Sequence, residues 1–271
     1  MGKFPDEIFD DVSAKELELF DFGTKIPDRI KTLTKVTQIR MGNSRCPALP
    51  DALFGLPKLK ALAIGLEWLK AVPSSISKAK ALRELMLDGC YKLKELPDAI
   101  GKTKLTELRM IPGNLKKVPA ALWNVSTLKW LALPSTVTTL PPGISKLGKL
   151  EILEIGGDAL LSIASELPKL KRLKKLSIEL EDGVVLPAEL TQLKLKELGV
   201  GSRVFTELPE LFTKIQTVEE LDVYGMYQLT KLADAVEKFP NLRFVNFQKK
   251  KFSAGERKRI EAHVKRGTTE E

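Results

Sequence analysis

Few side chains in this 271-residue chain have types and spacing that suit catalysis or metal binding. The chain contains one histidine, His263, and two cysteines, Cys46 and Cys90. One imidazole and two separated thiols do not complete a tetrahedral zinc site. The segment EIGGD, residues 154–158, lacks the spacing of a phosphate-binding loop. Carboxylates are numerous, but none stands out as an acid–base pair, so the sequence favours a protein that is not an enzyme and uses no cofactor.

A different spacing dominates the chain, in which an apolar residue followed by proline recurs every 22 to 24 residues. The equivalent places are held by Pro5, Pro27, Pro50, Pro73, Pro97, Pro119, Pro141, Ala164, Pro187, Pro209 and Ala233. Three residues after each of them stands another apolar residue. Eleven occurrences at one fixed period predict a repeat architecture, in which stacked neighbours share a core that no single repeat could build.

The second half of each repeat has the pattern Leu-x-x-Leu-x-Leu, as in Leu82, Leu85 and Leu87. Its last two apolar residues alternate with other residue types, which places them on one face of a short strand. The stretch after the proline has room for only one short helical or 3-10 turn, and proline suits the start of such a turn. The chain is therefore predicted to be an α/β protein with one strand and one turn in each repeat.

The segments LKELPDAIGKTKLTELRM and VTTLPPGISKLGKLEILEI resemble intracellular leucine-rich repeats of about 23 residues. The resemblance covers Phe4 to about Phe247. It implies a right-handed solenoid, or horseshoe, of about eleven coils, with a parallel sheet on the concave face and short helical or 3-10 turns on the convex face. The family places asparagine, or sometimes cysteine, three residues after the last apolar residue of the strand. Here Cys90 alone conforms, and glycines cluster near the strand ends instead.

The repeats assign residues 1–248 to the solenoid and residues 249–271 to a basic capping helix and tail. Ser253 and Glu256 have the spacing of a capping box, in which each side chain accepts from the backbone of the other. Ile260 and Val264 fall on one face of the predicted helix, where Phe252 joins them against the last coil. A Ser-x-x-Glu helix is similar to the ends of many bacterial leucine-rich proteins, which favours a bacterial source.

The localisation follows from what the sequence lacks. It has no signal peptide and no apolar run of membrane-spanning length, and Cys46 and Cys90 lie two repeats apart, too far to form a bridge. A reducing cytoplasm is therefore expected, or a host cytosol if the protein is a delivered effector.

The predicted concave face is acidic although the chain as a whole is basic. Taking three outward positions from each strand gives 33 positions with ten acidic and three basic residues, whereas the chain carries a net charge of +9. The basic residues must therefore lie on the rims, the outer face and the tail. An apolar centre is expected where Ile111, Trp130, Pro134 and Ile152 come from neighbouring coils. Two other tryptophans, Trp68 and Trp123, are expected to pack in the outer turns.

The favoured hypothesis is a protein-interaction module, because exposed apolar groups ringed by charge mark protein interfaces. Its partner would carry basic residues around an apolar anchor, and an acidic groove disfavours nucleic acid there. The partner-binding set is Met86, Asp88, Glu107, Arg109, Ile111, Trp130, Ile152, Glu154, Lys175, Glu179 and Tyr224. Two alternatives stay open: an adaptor that binds nucleic acid or an anionic surface through the basic outer face and tail, and a regulatory segment of a larger effector or signalling enzyme. The oligomeric state is open as well.

Overall fold

The computed structural model describes residues 3–264 and the backbone of residues 267–268. It divides into two compact units, Met1–Lys149 and Leu150–Glu271. Each repeat contributes one short strand, as the apolar spacing predicts. The strands of the first unit are β1 (Glu16–Phe20), β2 (Gln38–Gly42), β3 (Ala61–Gly65), β4 (Glu84–Met86), β5 (Glu107–Arg109) and β6 (Trp130–Ala132). Those of the second are β7 (Ile152–Gly156), β8 (Lys175–Leu180), β9 (Glu197–Ser202), β10 (Glu220–Asp222), β11 (Phe244–Asn246) and β12 (Gly267–Thr268).

Parallel pairing joins consecutive strands within each unit, from β1 to β6 in the first and from β7 to β12 in the second. The pairing register aligns the same repeat position in every strand. In the first unit it sets Glu16, Gln38, Ala61, Glu84, Glu107 and Trp130 side by side. Because successive side chains of a strand point to opposite faces, each sheet has one buried face and one open face.

The buried face is made by the two alternating apolar residues that the repeat pattern predicts. Leu17 and Leu19 of β1 are buried between exposed neighbours, and the same alternation runs through β8 as Leu176 and Ile178. Equivalent leucine, isoleucine, valine and methionine side chains of the other repeats are buried as well. These rows form the core, which confirms the predicted strand pattern and leaves the intervening side chains on the open face.

The chain crosses the other side of each unit in short turns that begin at the repeated proline. Pro50 has φ −72° and ψ 145°, an extended conformation that leads into the turn, and Leu53 three residues later is fully buried. The 3-10 turns are Asp6–Phe9, Asp28–Thr32, Asp51–Gly55, Ser74–Lys78, Asp98–Lys102, Ala120–Asn124, Ile144–Lys146, Ala164–Lys169, Ala188–Gln192 and Lys249–Lys251. The α-helices are α1 (Gly157–Ser162), α2 (Glu210–Thr213), α3 (Ala233–Val236) and α4 (Ala254–His263).

The family's asparagine position, three residues after the last apolar residue of the strand, is filled differently from repeat to repeat. Phe22 and Met226 bury apolar side chains at that position, whereas the thiol of Cys90 donates to the carbonyl of Ile64. In the repeat of β9, Arg203 holds this position, and the buried Ser202 just before it makes the hydrogen bonds. Ser202 Oγ donates to Leu180 O at 3.0 Å and accepts from the backbone N–H groups of Val204 and Phe205. Of the glycines clustered at the strand ends, Gly89 has a positive φ, of 78°.

Helix α4 packs on the last repeats and differs from the sequence prediction in one contact. Ser253 Oγ accepts from Glu256 N at 3.2 Å, as a capping box requires. The Glu256 carboxylate does not return to Ser253, because it accepts from the backbone N–H groups of Leu232 and Ala233 at 2.8 and 2.7 Å instead. It therefore caps the start of α3. Ile260 is fully buried, and the tail residues 265–266 and 269–271 lie outside the described residues.

Candidate functional site

Arg109 lies at the centre of a charged and aromatic cluster on the open face of the first unit. Its guanidinium carbon is 4.8 Å from the ring centre of Trp130, and its two terminal nitrogens lie 3.8 Å from carboxylate oxygens of Asp88 and Glu107. Its Nε is buried and has no hydrogen-bond partner among the described residues. Trp130 is half-buried with this cation against its ring. The cluster thus combines an aromatic ring with a partly neutralised cation.

Asp88 ties this cluster to the segment that follows β5. Its Oδ1 accepts the backbone N–H of Ile111 at 2.9 Å, across two neighbouring repeats. Burial raises the pKa of the Asp88 carboxyl, against the opposing effects of the Ile111 N–H and of Arg109. Met86 and Ile111 are both half-buried beside it. Six predicted site residues of the first unit therefore occupy three adjacent repeats. They are Met86, Asp88, Glu107, Arg109, Ile111 and Trp130.

A depression of about 430 Å³ opens on the same face over β1 to β4. Its floor is low because Gly42, Ala63 and Gly65 carry little or no side chain, and Phe20 and Met86 rise at its edges. Phe20 is 50% exposed, and a Cβ built on Gly42 would lie 3.1 Å from its ring. Met86 and Asp88 of its lining belong to the predicted partner-binding set, but the rest of the depression was not predicted. The available signal was a run of small residues at outward positions, next to an outward phenylalanine.

The two other tryptophans, Trp123 and Trp68, differ in their exposure to solvent. Trp123 is 1% exposed and donates its indole N–H to Pro141 O at 2.9 Å, which confirms its packing role. Trp68 is 42% exposed, so the expectation that it packs in an outer turn is wrong. The cations of Arg45 and Lys92 lie 5.7 and 5.5 Å from its ring centre, and these contacts hold the ring at the surface beyond the end of β3.

The remaining predicted site residues belong to the second unit. Ile152 and Glu154 are half-buried on the open face of β7. Lys175 on β8 forms an ion pair with Glu197 at 3.1 Å. Burial, reinforced by the nearby charge of Glu181, raises the pKa of Glu179. Tyr224, 42% exposed, lies in the turn after β10 and donates its N–H to Asp222 Oδ1 at 3.0 Å. The predicted set therefore falls into two groups, one on each unit.

The part of the chain that the structure describes lacks two further features. No group of three or more His, Cys, Asp or Glu side chains in this part of the chain is arranged to hold a metal ion. None of its helices is long and apolar enough to cross a membrane.

The repeat period, the parallel strands and the buried leucine rows define a leucine-rich-repeat fold with short 3-10 turns, as the sequence predicts. Solved structures share this fold. A leucine-rich-repeat protein of Leptospira interrogans matches with a TM-score of 0.53 and 19% identity over 100% of this chain and 93% of its own. The functional domain of InlJ from Listeria monocytogenes matches with a TM-score of 0.54 and 18% identity, over 87% of this chain and 49% of that one.

Similarity is also found to curated protein sequences. TMV resistance protein N of Nicotiana glutinosa is 28% identical over 244 residues, which is 86% of this chain and 19% of that protein. The chain spans about a fifth or less of the length of the curated relatives it matches. No family model matches it. Since the similar proteins include bacterial, plant and animal examples, the predicted bacterial source stays a prediction.

Proposed function

We propose that the chain is a recognition module that binds a protein partner through the open face of its first unit. The observation that carries this proposal is the depression over β1 to β4, which joins the Arg109 cluster through Met86 and Asp88. An apolar side chain of the partner occupies the depression. Basic side chains of the partner meet the carboxylates around it. In this proposal the apolar anchor of the partner lies over β1 to β4, whereas the sequence predicts it near Trp130 on β6.

The depression suits an apolar anchor because its walls are already in place. Phe20 packs against Gly42, and the floor is strand backbone that is hydrogen-bonded on both sides. A preformed surface loses little conformational entropy on binding, so more of the contact energy contributes to affinity. Exposed aromatic and methionine side chains around a small-residue floor also match the composition of interface centres.

The charges around the depression favour a basic partner. Glu16, Glu18 and Glu84 stand on the open face of β1 and β4, and Asp88 follows β4. Arg40 lies 3.8 Å from Glu18, but both side chains are largely exposed, so the pair is weak. Complementary charge of this kind speeds association and fixes the orientation of the partner. We therefore expect binding that weakens as salt concentration rises.

Replacing a glycine of the floor tests the proposal. Gly65→Leu fills the depression, and a Cβ at this position makes only ordinary contacts, 3.6 Å from Asp88 O and 3.8 Å from Met41 O. Gly55→Leu is the matched control, because Gly55 is exposed at the end of a 3-10 turn and a Cβ there meets nothing within 4 Å. A partner captured with the wild-type chain is then titrated against both variants.

The expected result is a loss of at least about tenfold in affinity for Gly65→Leu and no change for Gly55→Leu. Trp130→Ala, measured beside them, shows whether the Arg109 cluster contributes to the same contact. Equal affinity of wild type and Gly65→Leu, with both folded, would show that the partner binds elsewhere.

The free and buried Cys46 and Cys90 suit a reducing compartment, which supports a cytosolic site of action. The match to one fifth of TMV resistance protein N supports the view that repeats of this kind can serve inside a larger protein, so a regulatory segment is the second candidate.

A further inference from the structure

The segments that lead into β2 to β6 form a basic N-terminal edge of the sheet in the first unit, whereas the segment before β1 carries Asp10 and Asp11. We define the basic edge as residues 31–37, 56–60, 78–83, 101–106 and 124–129, the five segments that lead from a 3-10 turn into β2 to β6. They contain no aspartate and no glutamate. Their basic residues are Lys31, Lys35, Lys58, Lys60, Lys78, Lys80, Arg83, Lys102, Lys104 and Lys129. Because the strands are parallel, all five segments meet at one edge.

Backbone hydrogen bonds hold one position of each segment in a continuous row. Lys60 N donates to Thr37 O at 2.7 Å, and Arg83 N donates to Lys60 O at 2.8 Å. The row continues from Thr106 N to Arg83 O at 2.7 Å and from Lys129 N to Thr106 O at 2.8 Å. Neighbouring members are therefore one strand spacing apart, about 4.8 Å. Three of the five members of this row, Lys60, Arg83 and Lys129, are cations that the sheet backbone holds in fixed register.

The charge of this edge is not neutralised by the protein. Nine of the ten basic side chains are exposed, and Arg83 is half-buried and donates to the carbonyls of Lys80 and Leu82. Among the described residues, no carboxylate lies within ion-pair distance of any of the ten. Like charges on neighbouring strands repel each other, so an external anion would stabilise the edge.

The same repeat position in the second unit provides a contrast. There the row contains two acidic residues, Glu151 and Glu219. Lys174 pairs with Glu151 at 3.0 Å, Lys196 pairs with Glu219, and Arg243 lies 3.4 Å from Glu219. The row of the second unit is thus compensated internally, whereas the basic edge of the first unit is not.

We propose that the basic edge binds the phosphate backbone of a nucleic-acid duplex without reading its sequence. Nine of its ten cations are lysines, which act as point charges toward phosphate rather than as bidentate readers of bases. The exposed hydroxyl of Thr34 lies among them and is a suitable phosphate donor, whereas the hydroxyls of Thr37 and Thr106 donate to the carbonyls of Lys15 and Arg83. A linear row of cations also follows a linear polyanion.

Two other kinds of anionic partner fit the edge less well. The five segments contain no aromatic residue, so they offer no platform for stacking the bases of a single strand. Every leucine and valine in them is buried, so they offer no large apolar side chain for insertion into a membrane. The proposal is independent of protein binding on the open face, because the two surfaces use different side chains.

Salt-dependent binding to a labelled DNA duplex of arbitrary sequence, measured by fluorescence anisotropy, tests the proposal. The test variant carries Lys58→Gln, Lys60→Gln and Lys104→Gln. The matched control carries Lys174→Gln, Lys196→Gln and Lys231→Gln, which removes the same charge from lysines that already pair with carboxylates. All six lysines are exposed, so both variants should keep the thermal midpoint of the wild type.

For the wild type, the logarithm of the binding constant should fall linearly with the logarithm of salt concentration. The test variant should lower this slope by about 2.7, or 0.9 per lysine, and lose at least about tenfold in affinity at low salt. The control should stay within about threefold. Equal losses in both triple variants would overturn the proposal, as would absence of duplex binding by the wild type. Tighter binding to phosphatidylserine vesicles or to polyglutamate at the same salt would overturn it too.

Discussion

The guanidinium of Arg109 on β5 lies 4.8 Å from the ring centre of Trp130 on the neighbouring strand β6. The same guanidinium approaches Asp88 and Glu107, so a single side chain connects three repeats on the open face. Arg109→Ala, Trp130→Ala and the double variant should show a coupling free energy of about 0.5–1 kcal/mol in urea unfolding, because a partly buried cation is attracted to the face of the indole. Strictly additive single variants would show that the two groups are neighbours without net attraction.

The fold could be predicted from the sequence because it is encoded locally and many times over. A proline, replaced by Ala164 and Ala233 in two repeats, and the apolar positions around it define a turn and a strand, and stacking requires the register that β1 to β6 adopt. The same spacing placed Leu17 and Leu19, and their equivalents, in the core. A local error in one repeat would not have changed this prediction, because ten other repeats carry the same pattern.

The surface was harder to predict because its geometry depends on residues one repeat away. Trp68 stays at the surface since Arg45 and Lys92, from the repeats before and after it, lie against its ring. The depression exists because Phe20 packs against a glycine 22 residues later in the chain. Such contacts depend on side-chain direction and on the absence of a Cβ, and neither leaves a periodic signal in the sequence.

Two glycines in 3-10 turns should respond in opposite ways to alanine. A Cβ on Gly101 would lie 2.2 Å from the backbone oxygen of Ala121, so Gly101→Ala forces the backbone of the next repeat to move and should cost about 1–3 kcal/mol. Gly55→Ala meets nothing within 4 Å and should leave stability unchanged or raise it slightly, because alanine restricts the unfolded chain. Urea unfolding followed by circular dichroism measures both. Equal stability of the two variants would contradict the close approach at Gly101.

Glu256 should stabilise the second unit through its contact with α3. Its carboxylate accepts from the N–H groups of Leu232 and Ala233, which are both buried. Glu256→Ala leaves these donors without a partner and should cost about 1–3 kcal/mol, whereas Glu256→Gln keeps an acceptor oxygen and should cost less. Ser253→Ala, which removes only the cap of α4, is the control for loss of that helix. If the alanine and glutamine variants unfold at the same urea concentration, the contact does not stabilise the fold.

The stability of the first unit should depend on pH through Asp88. Burial raises the pKa of this carboxyl, so the folded state holds its proton to a higher pH than the unfolded state does. Between the ordinary carboxyl pKa and the raised one, stability therefore falls as pH rises. Asp88→Asn lacks this titration and still accepts the N–H of Ile111 through its amide oxygen. The free energy of unfolding of the variant minus that of the wild type should increase with pH across this window. A difference that decreases with pH would mean that attraction to Arg109 outweighs burial.

Both cysteines should resist thiol reagents as long as the first unit is folded. Burial raises the pKa of the Cys90 thiol to about 11, and it raises that of Cys46 as well, so little thiolate is present at about pH 8. Both side chains are also buried, which blocks the reagent sterically. Labelling with a chromogenic disulfide reagent across a urea series should follow the unfolding curve seen by circular dichroism, and Cys46→Ser and Cys90→Ser assign the two thiols. Rapid labelling of either thiol in the absence of urea would show that its repeat opens without global unfolding.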